Sequence, residues 1–440
     1  MLLPPDLRDW VEDDDIVHFI LDVAYRVSTD LAQVNRRGTG SAQYPPSMML
    51  ALLLYCYSQG IYSSRKIERA TYANVSVRYL TADYHPDHDT IAAFRRKNKD
   101  FIEQAFVMTL QIAREVGLTK LGTMAIDGTS LRANAGKKTT CDFGSLEDRI
   151  ESLCEDRVQK AENADAKGCK SANERHYMPS KNSLEEAHAK IKSTHERRRK
   201  QRDEMRKEVE EAKMGSLPYP LPKDISPSKK VNFVDTDCHF MPMKEGYYAP
   251  GYNAQLAVDT DSMLITAALI STGSVDNQQL LRVARTSQRN CKGSVKTVIA
   301  GSGYDNNYQI NELQKQCGIE AVVAVKDPHR LSTKHNQNQR RQNARNLKLK
   351  RLQVLKTERA KKLLKQRASS VETAFGVIKH AMQFKAFLLR GEANVGNEWN
   401  LVSAAFNLKR LANMGIGRSG NRPNWARRNK IRALGILQIS

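Results

Sequence analysis

The first hundred or so residues have a helical texture. Pro46 stands at a favourable first-turn position, SMMLALLLYCY follows as an apolar run, and Gly60 marks a stop. Ser63 or Ser64 caps a second helix, SSRKIERATYA. A third is predicted from Asp89 or Thr90 through IAAFRRKNKDFIEQAFVMTLQIAREV to Gly117. This helical unit is expected to expose Arg65, Lys66, Arg95 and Arg96. At Thr123 the period changes. TMAIDGTSL is a short apolar run reaching a carboxylate, Asp127, as in a buried strand whose end opens on a site. A polar stretch, 140–230, interrupts the strand pattern. Within it, the capping box Ser183–Glu186 opens a charge-dense helix that runs to about Gly215 and is closed by Pro218, Pro220 and Pro222. Strand signals return at 252–259 and 263–270, joined by Thr260, Asp261 and Ser262. A helix near 277–289, a strand at 296–300, a helix near 307–316 and a strand at 319–325 follow. Hairpin strands followed by alternating helices and strands predict an α/β mixed sheet with helices on its faces. Residues 334–367 are basic, with Glu358 their one acid, and a helix then carries Glu372, Phe375, Ile378 and Lys379.

Charge adds the first functional clue. The 440 residues carry 70 Lys and Arg against 48 Asp and Glu, a formal charge of +22. Self-repulsion of that size is best relieved by a polyanion, and nucleic acid is the commonest one in a cell. A ribosome-associated or membrane-surface protein would carry the same excess. A hydrophobic fraction of 40% is enough for ordinary cores and excludes wholesale disorder. The seven cysteines are scattered without a C-x-x-C pair, which argues against a disulfide framework or a zinc finger and suits a reducing cytoplasm. The N-terminus shows no signal-peptide pattern, and the longest apolar run, Met48 to Cys56, is too short to cross a bilayer. The expectation is a soluble, cytoplasmic protein with no membrane partner.

Several motifs then fall in a familiar order. YPPSMMLALLLYCYSQGIYSSRKIE with DHDTIAAFRR, AIDGTSLRANA around Asp127, GYNAQLAVD (251–259), GSGYDN (301–306) and VETAFGVIKHAMQFKAFLLRGEANVGNEWNLVSAAFNLKRL (371–411) together resemble bacterial insertion-sequence transposases of the RNase H-like DDE class, in the IS-four and IS-five group. Each motif alone is weak. The ordered set spans most of the chain and is least developed over 140–230 and the last twenty or so residues.

The resemblance implies a helical, DNA-binding N-terminal domain at 1–118 and an RNase H-like catalytic domain formed by 119–139 and 231–411. It leaves 140–230 as a polar, helical insertion and 412–440 as a basic tail. It also implies a bacterial, nucleoid-associated protein. Such proteins cut phosphodiesters with water and join the freed 3′-hydroxyl to a target strand. Two Mg²⁺ ions about 3.5–4 Å apart, for which Mn²⁺ can substitute, stabilise the attacking and leaving oxygens. Hard Mg²⁺ prefers carboxylate oxygen, which accounts for acids far apart in sequence without His or Cys spacing. The partners implied are double-stranded DNA, as terminal inverted repeats and target, and further copies of the chain assembled on it.

Carried over by motif, Asp127 matches the first acid and Glu372 in V-E-x-x-F-G-x-I-K the third, both as metal ligands. Lys379, two helical turns beyond Glu372, is a candidate phosphate contact, as are Arg95, Arg96, Arg367 and Arg390. The second acid is missing. The family pattern A-D-x-G-Y is here Ala300–Gly301–Ser302–Gly303–Tyr304, so Gly301 stands where an aspartate is expected. Asp305 lies four residues on, where a displaced ligand should point elsewhere. Tyr252 in GYNAQ is read as core, and Asp235 and Asp237 as structural. Two functions follow: an active transposase, or a catalytically dead transposase-derived DNA-binding protein or regulator. A basic RNA- or ribosome-binding protein shares the charge but leaves Asp127 and Glu372 unexplained.

Overall fold

The computed structural model describes residues 6–33, 43–118, 122–149, 151–152, 181–211, 221–293, 295–326 and 339–416. The N-terminal helices are α1 (Ile16–Arg26), α2 (Pro46–Ser58), α3 (Ser64–Ala73), α4 (Val75–Leu80), α5 (His88–Lys97) and α6 (Lys99–Glu115). The long third helix expected from sequence is two helices, α5 and α6. Asn98 leaves helical geometry between them (φ −99°, ψ 52°), and its amide accepts from the Gln33 N–H at 2.7 Å while donating to the Phe94 carbonyl at 3.0 Å. A side chain that satisfies backbone groups locally competes with the helix ladder.

The sheet contains β1 (Thr123–Arg132), β4 (His239–Pro242), β5 (Tyr248–Asp259), β6 (Ile265–Ser271), β7 (Thr297–Ala300) and β8 (Glu320–Val323). Its spatial order is β6-β5-β1-β7-β8, with β4 pairing the first residues of β5. The β1–β5 and β5–β6 ladders are antiparallel, whereas β1–β7 and β7–β8 are parallel. Between and after the strands come α8 (Leu280–Asn290), α9 (Asn307–Cys317), α10 (Gln339–Leu355), α11 (Glu358–Arg367), α12 (Thr373–Gly376) and α13 (Glu392–Asn413). This α/β mixed sheet flanked by helices is the RNase H-like arrangement expected.

The N-terminal helices and the sheet share one hydrophobic core. α2 is buried from Ser47 to Ser58, so it has no polar face to give to solvent. It and α6 pack on α13, whose Trp399, Val402 and Phe406 belong to the same cluster. Arg95 is part of this junction, which corrects its reading as an exposed DNA contact. It is 4% exposed and donates to the Tyr57 hydroxyl at 2.6 Å and the Tyr62 carbonyl at 3.0 Å, with the buried Glu398 carboxylate 3.8 Å away. A charge so deep is kept only with partners of this kind.

The insertion is anchored by a two-stranded ladder of β2 (Thr140–Asp142) and β3 (Lys230–Asn232) and by α7 (Lys181–Glu211). The helix is under way at Lys181, two residues before the expected capping box. Asp237 accepts from Thr194 and Arg197 of α7, and its backbone carbonyl accepts from Arg198 at 2.7 Å. Asp235 accepts from the buried Tyr252 hydroxyl and the Gly391 N–H, in keeping with a structural role. The expected end of the charged helix near Gly215, with Pro218 and Pro220, and most of the basic tail lie outside the described residues.

Candidate active site

Asp127 sits at the middle of β1, not at its end as the apolar run suggested. The strand that ends there is β7, whose last paired residue, Ala300, lies beside Ile126. One step further, Asp127 and Gly301 stand next to each other where β7 stops. Asp127 is paired on its other side with Leu256 of β5. Its Oδ1 accepts from the Gly128 N–H at 3.0 Å.

Glu372 approaches from the helix after α11. Residues Ala368–Glu372 and Val377–Ala381 are π-helical, on either side of α12. An α-helix aligns residues three and four apart, whereas a π turn brings positions five apart together. Arg367 and Glu372 are five apart, and the guanidinium meets the carboxylate at 2.9 Å (Nη2 to Oε1). The same guanidinium donates through Nη1 to Asp127 Oδ2, also at 2.9 Å. A Cβ built on Gly301 would lie 3.9 Å from the Arg367 Cζ. Asp127, Glu372 and position 301 therefore surround one cation, and that cation is Arg367. Burial pushes the Asp127 carboxyl above its ordinary range and the charge of Asp276 adds to this, while the Gly128 N–H and Arg367 pull it back.

The other candidates divide. Lys379 lies along the same stretch of β1, with its ammonium donating to Thr129 Oγ1 at 2.7 Å and its pKa lowered by burial. Arg96 is exposed on α5. Arg390 is exposed too, and its Nε donates to the Asn134 carbonyl at 2.9 Å. Arg367 was expected at a phosphate and instead joins the two acids. Asp305 is turned away: its side chain is 1% exposed and is held by Lys348 at 2.6 Å, by Arg351 and by the Lys326 N–H. Burial raises its pKa, but those partners outweigh burial and leave it below the usual carboxylate value.

A polar network missed in the sequence backs the site. Asp276 Oδ1 accepts from Asn253 Nδ2 and Gln255 Nε2, each at 2.7 Å, and the Tyr304 hydroxyl donates to Gln255 Oε1. The sequence signal was a pair of amides at alternate positions of an otherwise apolar strand, which puts both on one face. GYNAQ is thus more than core packing. Gly128 makes room for the network, since a Cβ there would lie 2.2 Å from Gln255 Nε2 and 2.7 Å from Asp276 Oδ1. Asp276 lies on the Gly128 side of the strand, where successive residues face opposite ways, and its charge is felt at Asp127.

Residues 228–408 match the family model described as a transposase DDE domain, and residues 5–97 match a second transposase domain model, DUF772. This chain belongs to the DDE-class transposases. No curated protein and no solved structure gives a significant match to it. The DDE match begins at 228, so in this transposase it includes Gly301 and Glu372, while β1 with Asp127 joins them through the sheet. As a transposase of this family it is a DNA-binding enzyme, and the class generally uses a divalent metal. The donors here suit such an ion in kind, being hard carboxylate oxygens that converge on one positive charge. They fall short in number. Among the described residues no group of three or more His, Cys, Asp or Glu comes together to hold a metal, and no helix is long and apolar enough to cross a membrane.

Proposed function

We propose that this transposase, of the IS-four and IS-five group, binds the terminal inverted repeats of its own insertion sequence and carries out strand cleavage and transfer at Asp127 and Glu372. The observation that carries the reading is the meeting of these two carboxylates on one cation at the end of β7, facing position 301. Asp127 and Glu372 are the groups that would hold divalent metal, Mg²⁺ or Mn²⁺. A pair of such ions supplies an activated water and charge stabilisation on both reacting oxygens. The chain's own part is to hold the carboxylates on rigid elements and to keep the Asp127 side of the cleft partly buried. Lys379, Arg96 and Arg390 contribute positive charge for the DNA backbone. Joining two ends at one target calls for at least two copies of the chain on the DNA, and the setting is the bacterial nucleoid.

Gly301 favours a second reading, a DNA-binding protein descended from a transposase and weak or dead in catalysis. Glycine offers no side-chain oxygen, and two carboxylates fix a metal pair poorly. One assay separates the readings: the purified chain is incubated with the terminal DNA of its own element and Mg²⁺ or Mn²⁺. Specific nicking at the element end supports the active enzyme. Sequence-specific binding without nicking supports the regulator, and absence of any DNA binding sinks both.

A further inference from the structure

The strongest feature that the assigned function leaves unused is Arg367. We infer that Arg367 is a positioning residue that takes the place of a divalent ion between Asp127 and Glu372, so that metal can enter only by displacing it. This rests on the catalytic reading of those two acids. Its own support is geometric. Both terminal nitrogens of one guanidinium are used, one on each carboxylate, each at 2.9 Å. Planar, charge-assisted contacts of this kind are the strong class of hydrogen bond, and Lys could not reproduce them. The Arg367 side chain is 20% exposed, so solvent screens the contacts only in part.

The backbone is shaped for the bridge. Only the π turn at Ala368–Glu372 puts Arg367 and Glu372 on one face, and an uninterrupted α-helix would turn them apart. Gly301 belongs to the same arrangement. The space a side chain would take at 301 opens on the Arg367 guanidinium, with Cζ the nearest heavy atom to a Cβ placed there. The missing acid and the resident arginine thus meet at one place: this site carries a built-in positive charge beside the position where the motif resemblance implies an aspartate. It follows that the site is held in shape without metal, and that its metal affinity is set by competition with its own side chain.

The test uses the full chain without DNA and Mn²⁺ as the probe, followed by its paramagnetic resonance signal and by the melting midpoint. Arg367→Gln should bind Mn²⁺ about tenfold more tightly than the natural chain. Mn²⁺ should raise the melting midpoint of this variant more than that of the natural chain at the same concentration. Arg367→Lys, which keeps the charge but cannot serve both carboxylates with a planar fork, should fall between them. It also provides a folded comparison if the glutamine variant is unstable. Equal Mn²⁺ affinity in the three chains, or tightest binding by the natural one, overturns the inference. Duplex-DNA binding by the natural chain, measured alongside, tests the transposase reading separately. Its loss would sink that reading and leave the Mn²⁺ ranking interpretable.

Discussion

At the scale of single residues, two glycines decide what the site can be. Gly301 has φ −73° and ψ 174°, extended geometry open to any residue, and a Cβ there meets nothing closer than the Arg367 Cζ at 3.9 Å. Gly301→Asp should therefore fold normally, with a stability change within about 1 kcal/mol. Its carboxylate would join Asp127 and Glu372 around the same point and shift the balance from guanidinium towards a divalent ion. Cleavage of terminal DNA with Mg²⁺ should rise measurably over the natural chain, because displaced or missing reacting groups already cost about a hundredfold in rate. Strong cleavage by the natural chain, or no gain in a well-folded variant, would show that another group supplies the missing oxygen or that further residues have decayed. Gly128 is the opposite case. An added methyl would overlap Gln255 Nε2 and crowd Asp276 and Asn253, all in a hydrogen-bonded network on a central strand pair. Gly128→Ala should cost at least about 1–3 kcal/mol by overpacking, read as a lower denaturant midpoint. An unchanged midpoint would mean that the amide network is loose.

At the scale of elements, the sequence was legible wherever periodicity and tertiary structure agreed. The hairpin β5–β6 and the later alternation of β7, α9 and β8 match the expected spans within a few residues. Apolar alternation and turn residues report on them directly. Asp127 and Glu372 were legible through their motifs. What stayed hidden depends on partners distant in sequence. The break at Asn98 is set by Gln33. The π turn that aims Arg367 has no period of its own, and Asp276 joins the site only through Asn253 and Gln255, which lie on another strand. Arg95 is the clearest example, since its place on α5 looks polar until Tyr57 of α2 and Glu398 of α13 close over it. Burial raises the Glu398 carboxyl, with Arg95 and the Leu388 and Leu389 N–H groups drawing it back, so each side of the pair needs the other. Arg95→Ala should destabilise the chain by about 3–5 kcal/mol, because it strands a buried carboxylate. Thermal unfolding would measure this. A stable variant with weakened DNA binding would restore Arg95 as a surface contact.

At the scale of the whole molecule, the excess of positive charge should dominate affinity for DNA whatever happens at Asp127 and Glu372. The formal charge of +22 is spread over a chain whose α3 and α5 expose Arg65, Lys66 and Arg96 and whose C-terminal half exposes Arg390. Phosphate contacts from such groups release counterions, so the logarithm of the binding constant should fall linearly with the logarithm of salt concentration. If six or more phosphates are neutralised, affinity should drop by roughly a thousandfold or more between 50 and 200 mM salt. The slope should be the same for the natural chain and for Asp127→Asn, because that carboxylate lies on Arg367 and makes no phosphate contact of its own. Cleavage and affinity would then separate: the carboxylate variants change the first, and removal of exposed basic residues the second. A binding constant insensitive to salt would mean that recognition does not run through the phosphate backbone. A slope that changed with Asp127→Asn would mean that freeing Arg367 adds a phosphate contact, which would tie the arginine to the DNA as well as to the two acids.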